Sequence, residues 1–290
     1  MKELTINDRE IILLSYMNYR PADYPPKMQK HKRLFRLTLL LGFVSLVVSL
    51  TFNALLFVQA RYYYLQLNET NLDPLGLRAF TSDSLPSGVS AASTATVVFF
   101  GDSRAAQWFV PAKLKGFSFV NRGINNQTSA QILGRFDNHV VPLHPDIIIL
   151  QVGINDLKTI PLFPEQKTAI IANCKANIQQ IVTRSVNSGA TVILTTIFPI
   201  GPVPLTRQPF WSPDIAQGVS EVNAYLYSLK ARNVLILDAY SLLAENGKVR
   251  SNYVSDTLHI NARGYEVLNQ ELTKLLSPWL KDKSLKIGVN

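Results

Sequence analysis

From Leu37 to Val58 the chain runs 22 residues without a charge, and a globular fold seldom accommodates such a segment. As an α-helix the run spans about 33 Å, against roughly 30 Å of bilayer hydrocarbon. Asn53 is its only strongly polar member. Lys27, Lys30, Lys32, Arg33 and Arg36 precede it, whereas Arg61 alone follows before Arg78. This asymmetry predicts a transmembrane anchor over 37–58, residues 1–36 as a cytoplasmic basic tail, and an exported C-terminal domain, periplasmic or extracellular. Tyr62, Tyr63 and Tyr64 read as an aromatic belt at the far interface. The competing reading is a signal peptide cleaved near Ala60, where Val58-Gln59-Ala60 resembles a small-residue site. The run exceeds the roughly 7–15 residues of a usual signal core, and the tail before it is long. Polar flanks argue against a buried core helix.

Residues 59–93 contain Asp73-Pro74, Ser84 to Gly88 and a Ser/Ala/Thr run from Ser90 without a sustained period, which predicts a linker. From Thr94 onward short apolar runs alternate with helical stretches. The runs are Thr96–Phe100, Phe117–Val120, Asp146–Val152, Thr191–Ile197 and Val234–Leu237. They are β-branched and aromatic and apolar on both faces, as strands of a parallel sheet covered on both sides should be. Helices are predicted near 104–114, 128–139, 166–187, 214–231 and 262–276. This alternation implies right-handed crossovers and an α/β three-layer sandwich. Five strands fit a flavodoxin-like sheet of order 2-1-3-4-5, although strand order cannot be read from sequence.

The net charge of +9 raises the question of a nucleic-acid partner. Residues 1–36 hold eight Lys/Arg against four Asp/Glu, and no basic stripe with interleaved aromatics follows, so nucleic acid is not the expected partner. Cys174 is the single cysteine, which excludes an intrachain disulfide. Its place in the helical row Ile171, Cys174, Ile178, Ile181 makes it a small buried hydrophobe rather than a reactive thiol.

In open α/β sheets ligands bind beyond the carboxyl ends of the strands. The polar residues just after the predicted strands are Gly101-Asp102-Ser103, Asn125-Asn126 and Gly153-Ile154-Asn155-Asp156, with Asp256-Thr257-Leu258-His259 following later. A serine attacks a carbonyl only when a base takes its proton and donors stabilise the oxyanion. Ser103 supplies the hydroxyl and His259 the base. His31 lies across the proposed membrane, and His139 and His144 precede the third strand. Asp256 is placed to orient the imidazole. The Asn155 amide and the backbone N–H groups of Ser103 and Asn126 are the candidate oxyanion donors. Each motif alone has a plainer explanation: Asp102 and Ser103 capping a helix, Gly-Ile-Asn-Asp forming a turn, a lone structural His. Their joint order on one edge favours chemistry.

These blocks resemble those of the SGNH, or GDSL-like, hydrolase family. Val97 to Ser103 is similar to its first block, Gly153-Ile154-Asn155-Asp156 to its Gly-x-Asn-Asp block, and Asp256-Thr257-Leu258-His259 to its Asp-x-x-His block. The resemblance spans most of a domain placed at 94–281, with 282–290 as a tail. It implies metal-independent ester hydrolysis on a five-stranded parallel sheet. Where Asn126 stands the family usually has glycine, whose backbone N–H is an oxyanion donor; asparagine tolerates positive φ better than most residues. Gly123 is read as serving the turn. Arg104, next to the nucleophile, is a candidate for selecting anionic or hydroxyl-rich substrates, or else a solvated helix-start residue. Phe198 and Trp211 bound a proline-rich insertion that is a candidate wall for a small acyl pocket, or else packs on the domain.

No phosphate loop, dinucleotide fingerprint or metal-ligand spacing is evident, so no cofactor is expected. His139 and His144, with Asp137 and Asp146, straddle a helix end and a strand start. The leading expectation is a serine esterase acting on short acyl esters of exported glycan or lipid. An O-acyltransferase using the same acyl-enzyme, a lysophospholipase and a silent glycan-binding domain are the alternatives.

Overall fold

A computed structural model describes residues 26–80, 94–110, 114 and 116–287. The predicted tail 1–36 therefore lies mostly outside the described residues, as do the Ser84 to Gly88 turn, the run from Ser90 to Ser93 and the end of the 282–290 tail. Helix α1 covers Pro26–Leu72 and is long and apolar enough to cross a membrane, with none of its apolar window buried. It is compatible with an anchor or a signal sequence. The chain up to Asn68 and the chain from Glu69 onward form separate compact units. The helix continues fourteen residues past Val58, so the linker reading fails for its first part. Residues 73–80 are not spacer either: Leu75 offers its carbonyl to Gln127 Nε2 at 2.8 Å, and Pro74 offers its own to Gln131 Nε2 at 2.8 Å.

In the second unit five strands, β1 (Ala95–Gly101), β2 (Phe117–Gly123), β3 (Ile147–Gln151), β4 (Thr191–Thr195) and β5 (Val234–Leu237), pair in parallel in the order β2-β1-β3-β4-β5. Alternation along each strand sends neighbouring side chains to opposite faces. Val98, Phe100, Ile148, Leu150, Val192 and Leu194 build one core with α6 (Lys167–Asn187) and α7 (Asp214–Ser228). Val97, Phe99, Ile147, Ile149 and Ile193 build the other with Trp108 and with α9 (Ala262–Ile287), through Tyr265, Leu268, Leu272 and Leu276. Fully burying one such aliphatic or aromatic side chain contributes about 1.5–3 kcal/mol, so a sheet lined this way on both faces needs no disulfide. Cys174 sits in the first core, its thiol pushed well up by burial.

Three predicted helices differ. Over the described residues 104–110 the helix is one turn, α2 (Ser103–Ala106), because Trp108 leaves it for the second core, where its indole donates to Asn269 Oδ1 at 2.8 Å. The segment 128–139 is broken into α3 (Ser129–Gly134) and α4 (Phe136–His139) at Arg135, whose φ of −102° and ψ of 6° leave the helical region. The last helix runs to Ile287, beyond 276 and into the predicted tail. Two short helices complete the carboxyl side of the sheet: α5 (Ile154–Leu157) and α8 (Ala239–Leu243). A hairpin, β6 (Ala244–Glu245) and β7 (Lys248–Val249), follows.

Candidate active site

β1 ends where it must pass close to β3. A Cβ on Gly101 would sit 1.8 Å from the Gln151 carbonyl oxygen, so only glycine fits there. The chain then turns into α2, with Asp102 as its N-cap: the carboxylate accepts from the Arg104 amide at 2.8 Å. Ser103 is thereby held at the first position of the helix, 8% exposed. Gly123, expected to serve a turn, instead ends β2 and lets α2 approach, since a Cβ there would lie 2.1 Å from the Ala106 nitrogen.

The four sequence groups do meet. Ser103 Oγ lies 2.8 Å from His259 Nε2, and His259 Nδ1 lies 2.8 Å from Asp256 Oδ2. The other carboxylate oxygen of Asp256 accepts from the amides of Leu258 at 2.7 Å and His259 at 2.9 Å. Burial pushes this carboxyl up, but those amide donors and the imidazole together hold it below the usual carboxylate range. The neighbouring Asp102 behaves oppositely: complete burial raises it to about 6, against the pull of Arg104. Asp102 thus caps the helix, whereas Asp256 is the carboxylate that faces the His259 imidazole.

Asn155, on α5, is buried and donates from Nδ2 to the Gln127 carbonyl at 3.0 Å, which fixes its amide between the loops after β2 and β3. Asp156 reinforces that joint, accepting from Ser129 N at 2.8 Å and Ser129 Oγ at 2.6 Å. Asn126 has φ 62°, the left-handed conformation. Its backbone N–H and that of Ser103 have no acceptor among the described residues. If the Asn126 amide serves the oxyanion, Asn126→Gly keeps kcat at or above the parent value, because glycine adopts positive φ without cost. Asn126→Val lowers kcat, toward the ~10²–10³ that loss of one donor costs. Equal rates for the two variants in a steady-state ester assay would remove the position from the site.

Arg104 and Phe198 require correction. Arg104 is neither solvated nor open to substrate: it is fully buried, donates from Nε to the Leu258 carbonyl at 2.8 Å, and lies over the Phe198 ring at 4.9 Å. Phe198 is itself fully buried in the second core and walls no surface pocket. Trp211, half-buried, does line one. A cleft of about 490 Å³ runs between the insertion, at Ile200 to Val203, Gln208 and Trp211, and the hairpin, at Gly247 and Lys248. Its floor is tied to the base-bearing loop, since Gly201 N donates to Thr257 O at 2.9 Å and Thr257 Oγ1 donates to Pro202 O at 2.9 Å.

Sequence reasoning passed over Arg135. Its guanidinium lies over Phe100 and donates to the carbonyls of Arg122 at 2.8 Å and Gly101 at 2.9 Å, bracing both loops that carry the candidate donors. Burial lowers it to about 9. Nothing in the helical segment around it signalled that role. Three of the four residues weighed as metal ligands have other partners. His139 contacts Arg135 and the Leu77 carbonyl, while Asp137 pairs with Arg184 and Asp146 accepts from Thr96 N. Among the described residues no group of three or more His, Cys, Asp or Glu is placed to hold a metal.

The model of the GDSL-like lipase/acylhydrolase family matches residues 83–267, well over half of the chain. No curated protein matches the sequence. Among solved structures, one from Bacteroides fragilis, assigned as an acylhydrolase, is 24% identical with a TM-score of 0.55, covering 69% of this chain and 93% of its own. A GDSL-like lipase from Bacteroides thetaiotaomicron is 23% identical with a TM-score of 0.52, covering 63% and 88%. A lipase from a goat-rumen metagenome is 15% identical with a TM-score of 0.51, covering 62% and 97%. At these identities the likeness to the solved structures is one of fold.

Proposed function

Because the chain belongs to the GDSL-like lipase/acylhydrolase family, and is a serine ester hydrolase, we propose that it cleaves short-chain acyl esters through a covalent intermediate on Ser103. The observation that carries this reading is the continuous chain from Ser103 Oγ through His259 to Asp256, each step 2.8 Å. His259 Nε2 takes the hydroxyl proton as Oγ bonds to the acyl carbon. The carbonyl oxygen becomes an oxyanion facing the amides of Ser103 and Asn126 and the side chain of Asn155. Its collapse expels the alcohol, which receives the proton from His259. Water, activated by the same imidazole, then releases the acid. An alcohol acceptor in place of water would make the same intermediate an O-acyltransferase, and products formed in the presence of a sugar acceptor separate the two.

The confined cleft beside Trp211, tied to the loop that carries His259, supports a small acyl group, and the alcohol we propose is an exported glycan. A second reading, hydrolysis of lysophospholipid, is favoured by Leu205 at 80% and Phe210 at 61% exposure on the same insertion, in a chain whose N-terminal helix is apolar enough for a membrane. The two differ in what chain length does to kcat/KM, since each buried methylene adds about 0.8 kcal/mol where a pocket receives it. Across p-nitrophenyl esters from acetate to palmitate, kept below aggregation, the values peak by butyrate and then fall. A steady rise to palmitate would replace the short-acyl reading with the lipid one.

A further inference from the structure

We infer that Arg104 is a positioning residue that fixes the distance between nucleophile and base, an inference that rests on the assignment of Ser103 and His259 above. Arg104 directly follows Ser103, and its hydrogen-bond partner Leu258 directly precedes His259. The Nε–carbonyl bond of 2.8 Å therefore bridges the two loops one residue away from the Oγ–Nε2 contact. The loop from Ser255 to His259 is otherwise folded on itself: the amides of Ser255 and Asp256 donate to the His259 carbonyl, and Asp256 accepts from Leu258 and His259. Its remaining anchors, through Thr257, lead to Gly201 and Pro202 on the insertion, away from the nucleophile turn. Arg104 thus supplies the tie between the serine-bearing turn and the histidine-bearing loop.

The rest of the residue is held as a strap should be. Its amide donates to the Asp102 carboxylate, and its carbonyl accepts from the Tyr265 hydroxyl at 2.9 Å. Its guanidinium lies over Phe198. Both Nη groups are buried without a hydrogen-bond partner, so the bond donated by Nε is the polar contact the side chain makes. A buried cation of this kind is costly, and a purely packing role would be filled as well by an apolar side chain of similar volume. Small displacements of a base from its nucleophile cost rate steeply, on the order of 10²-fold for 1 Å.

Glutamine tests the idea, because its Nε2 sits the same number of bonds from the backbone as the arginine Nε but carries no charge. Wild type, Arg104→Gln and Arg104→Met are compared for fluorophosphonate labelling rate, kcat, KM and thermal melting. Arg104→Met is expected to lose about 10²-fold in both labelling rate and kcat with KM within about twofold. Arg104→Gln recovers to within about fivefold of wild type. Equal loss in both folded variants would show that charge matters and the strap does not, and wild-type labelling in Arg104→Met would abolish the role altogether. Should Arg104→Met fail to fold, Arg104→Gln decides alone: a folded protein with full loss overturns the proposal. Absence of label at Ser103 in the wild type would instead overturn the assignment on which the inference rests.

Discussion

Ser103→Ala is expected to abolish fluorophosphonate labelling and to lower kcat by at least ~10⁴ while leaving the melting temperature within a few degrees of wild type. The kinetic loss is large because the nucleophile, base and orienter act as a unit, so removing the nucleophile leaves only binding and oxyanion stabilisation. No other side chain in the described site can take over. Cys174 is buried in the first core with its thiol raised well above the usual range, and Ser129 Oγ is committed to Asp156. The stability loss is small because the Ser103 hydroxyl makes one side-chain contact, to His259, and its removal takes away no more than one hydroxyl group. The amide that caps against Asp102 belongs to Arg104 and survives the substitution. Intact-mass and peptide-level detection of the adduct check the assignment. Label on a different residue, or hydrolysis retained in Ser103→Ala, would remove Ser103 from the mechanism.

How far the site could be read from the chain depended on the kind of interaction involved. Four of the five strands were legible because each is apolar on both faces, a pattern that solvent-exposed elements do not carry, and the edge strand β2 through its Phe-x-Phe-Val run. β2 was read too short, since Asn121-Arg122-Gly123 looks like loop. It stays extended because its polar groups find tertiary partners: Asn121 Nδ2 reaches the Ala105 carbonyl at 2.9 Å, and Arg122 lies over Phe80. The Ser103 and Asn155 groups were legible because they directly follow β1 and β3, whose carboxyl ends share one edge, and the His259 group because its Asp-x-x-His spacing pairs a base with a carboxylate. The fate of Arg104 was not, because a charged side chain is expected in water until the carbonyl and ring that receive it are known. The β6–β7 hairpin was available and missed. Asn246-Gly247, at φ 50° and 75°, is the dipeptide that two-residue hairpins favour, flanked here by strands too short to show alternation.

The second large effect separates the two members of the Asp256–His259 pair. His259→Ala deletes proton transfer and should cost about 10⁴ in kcat; Asp256→Ala leaves a base that is present but poorly aligned and should retain roughly 10–10²-fold more activity. The geometry adds a contrast within the aspartate itself. Oδ1 of Asp256 holds the loop by accepting from the Leu258 and His259 amides, whereas Oδ2 faces the imidazole Nδ1. Asp256→Asn can keep the first function, but it then presents an N–H to Nδ1. That favours the tautomer whose proton sits on Nε2, where the serine needs an acceptor. Asp256→Asn should therefore melt above Asp256→Ala yet turn over more slowly. Stability and rate then move in opposite directions at one position, which a merely structural carboxylate would not produce. The pH profile gives an independent check. With its carboxyl held below the usual carboxylate range, Asp256 stays ionised until pH falls beneath that range, and its contribution is lost only there. An acid limb of kcat/KM near neutrality in the wild type therefore does not come from Asp256. Asp256→Asn at wild-type rate, or His259→Ala more active than Asp256→Ala, would contradict the assignment of base and orienter.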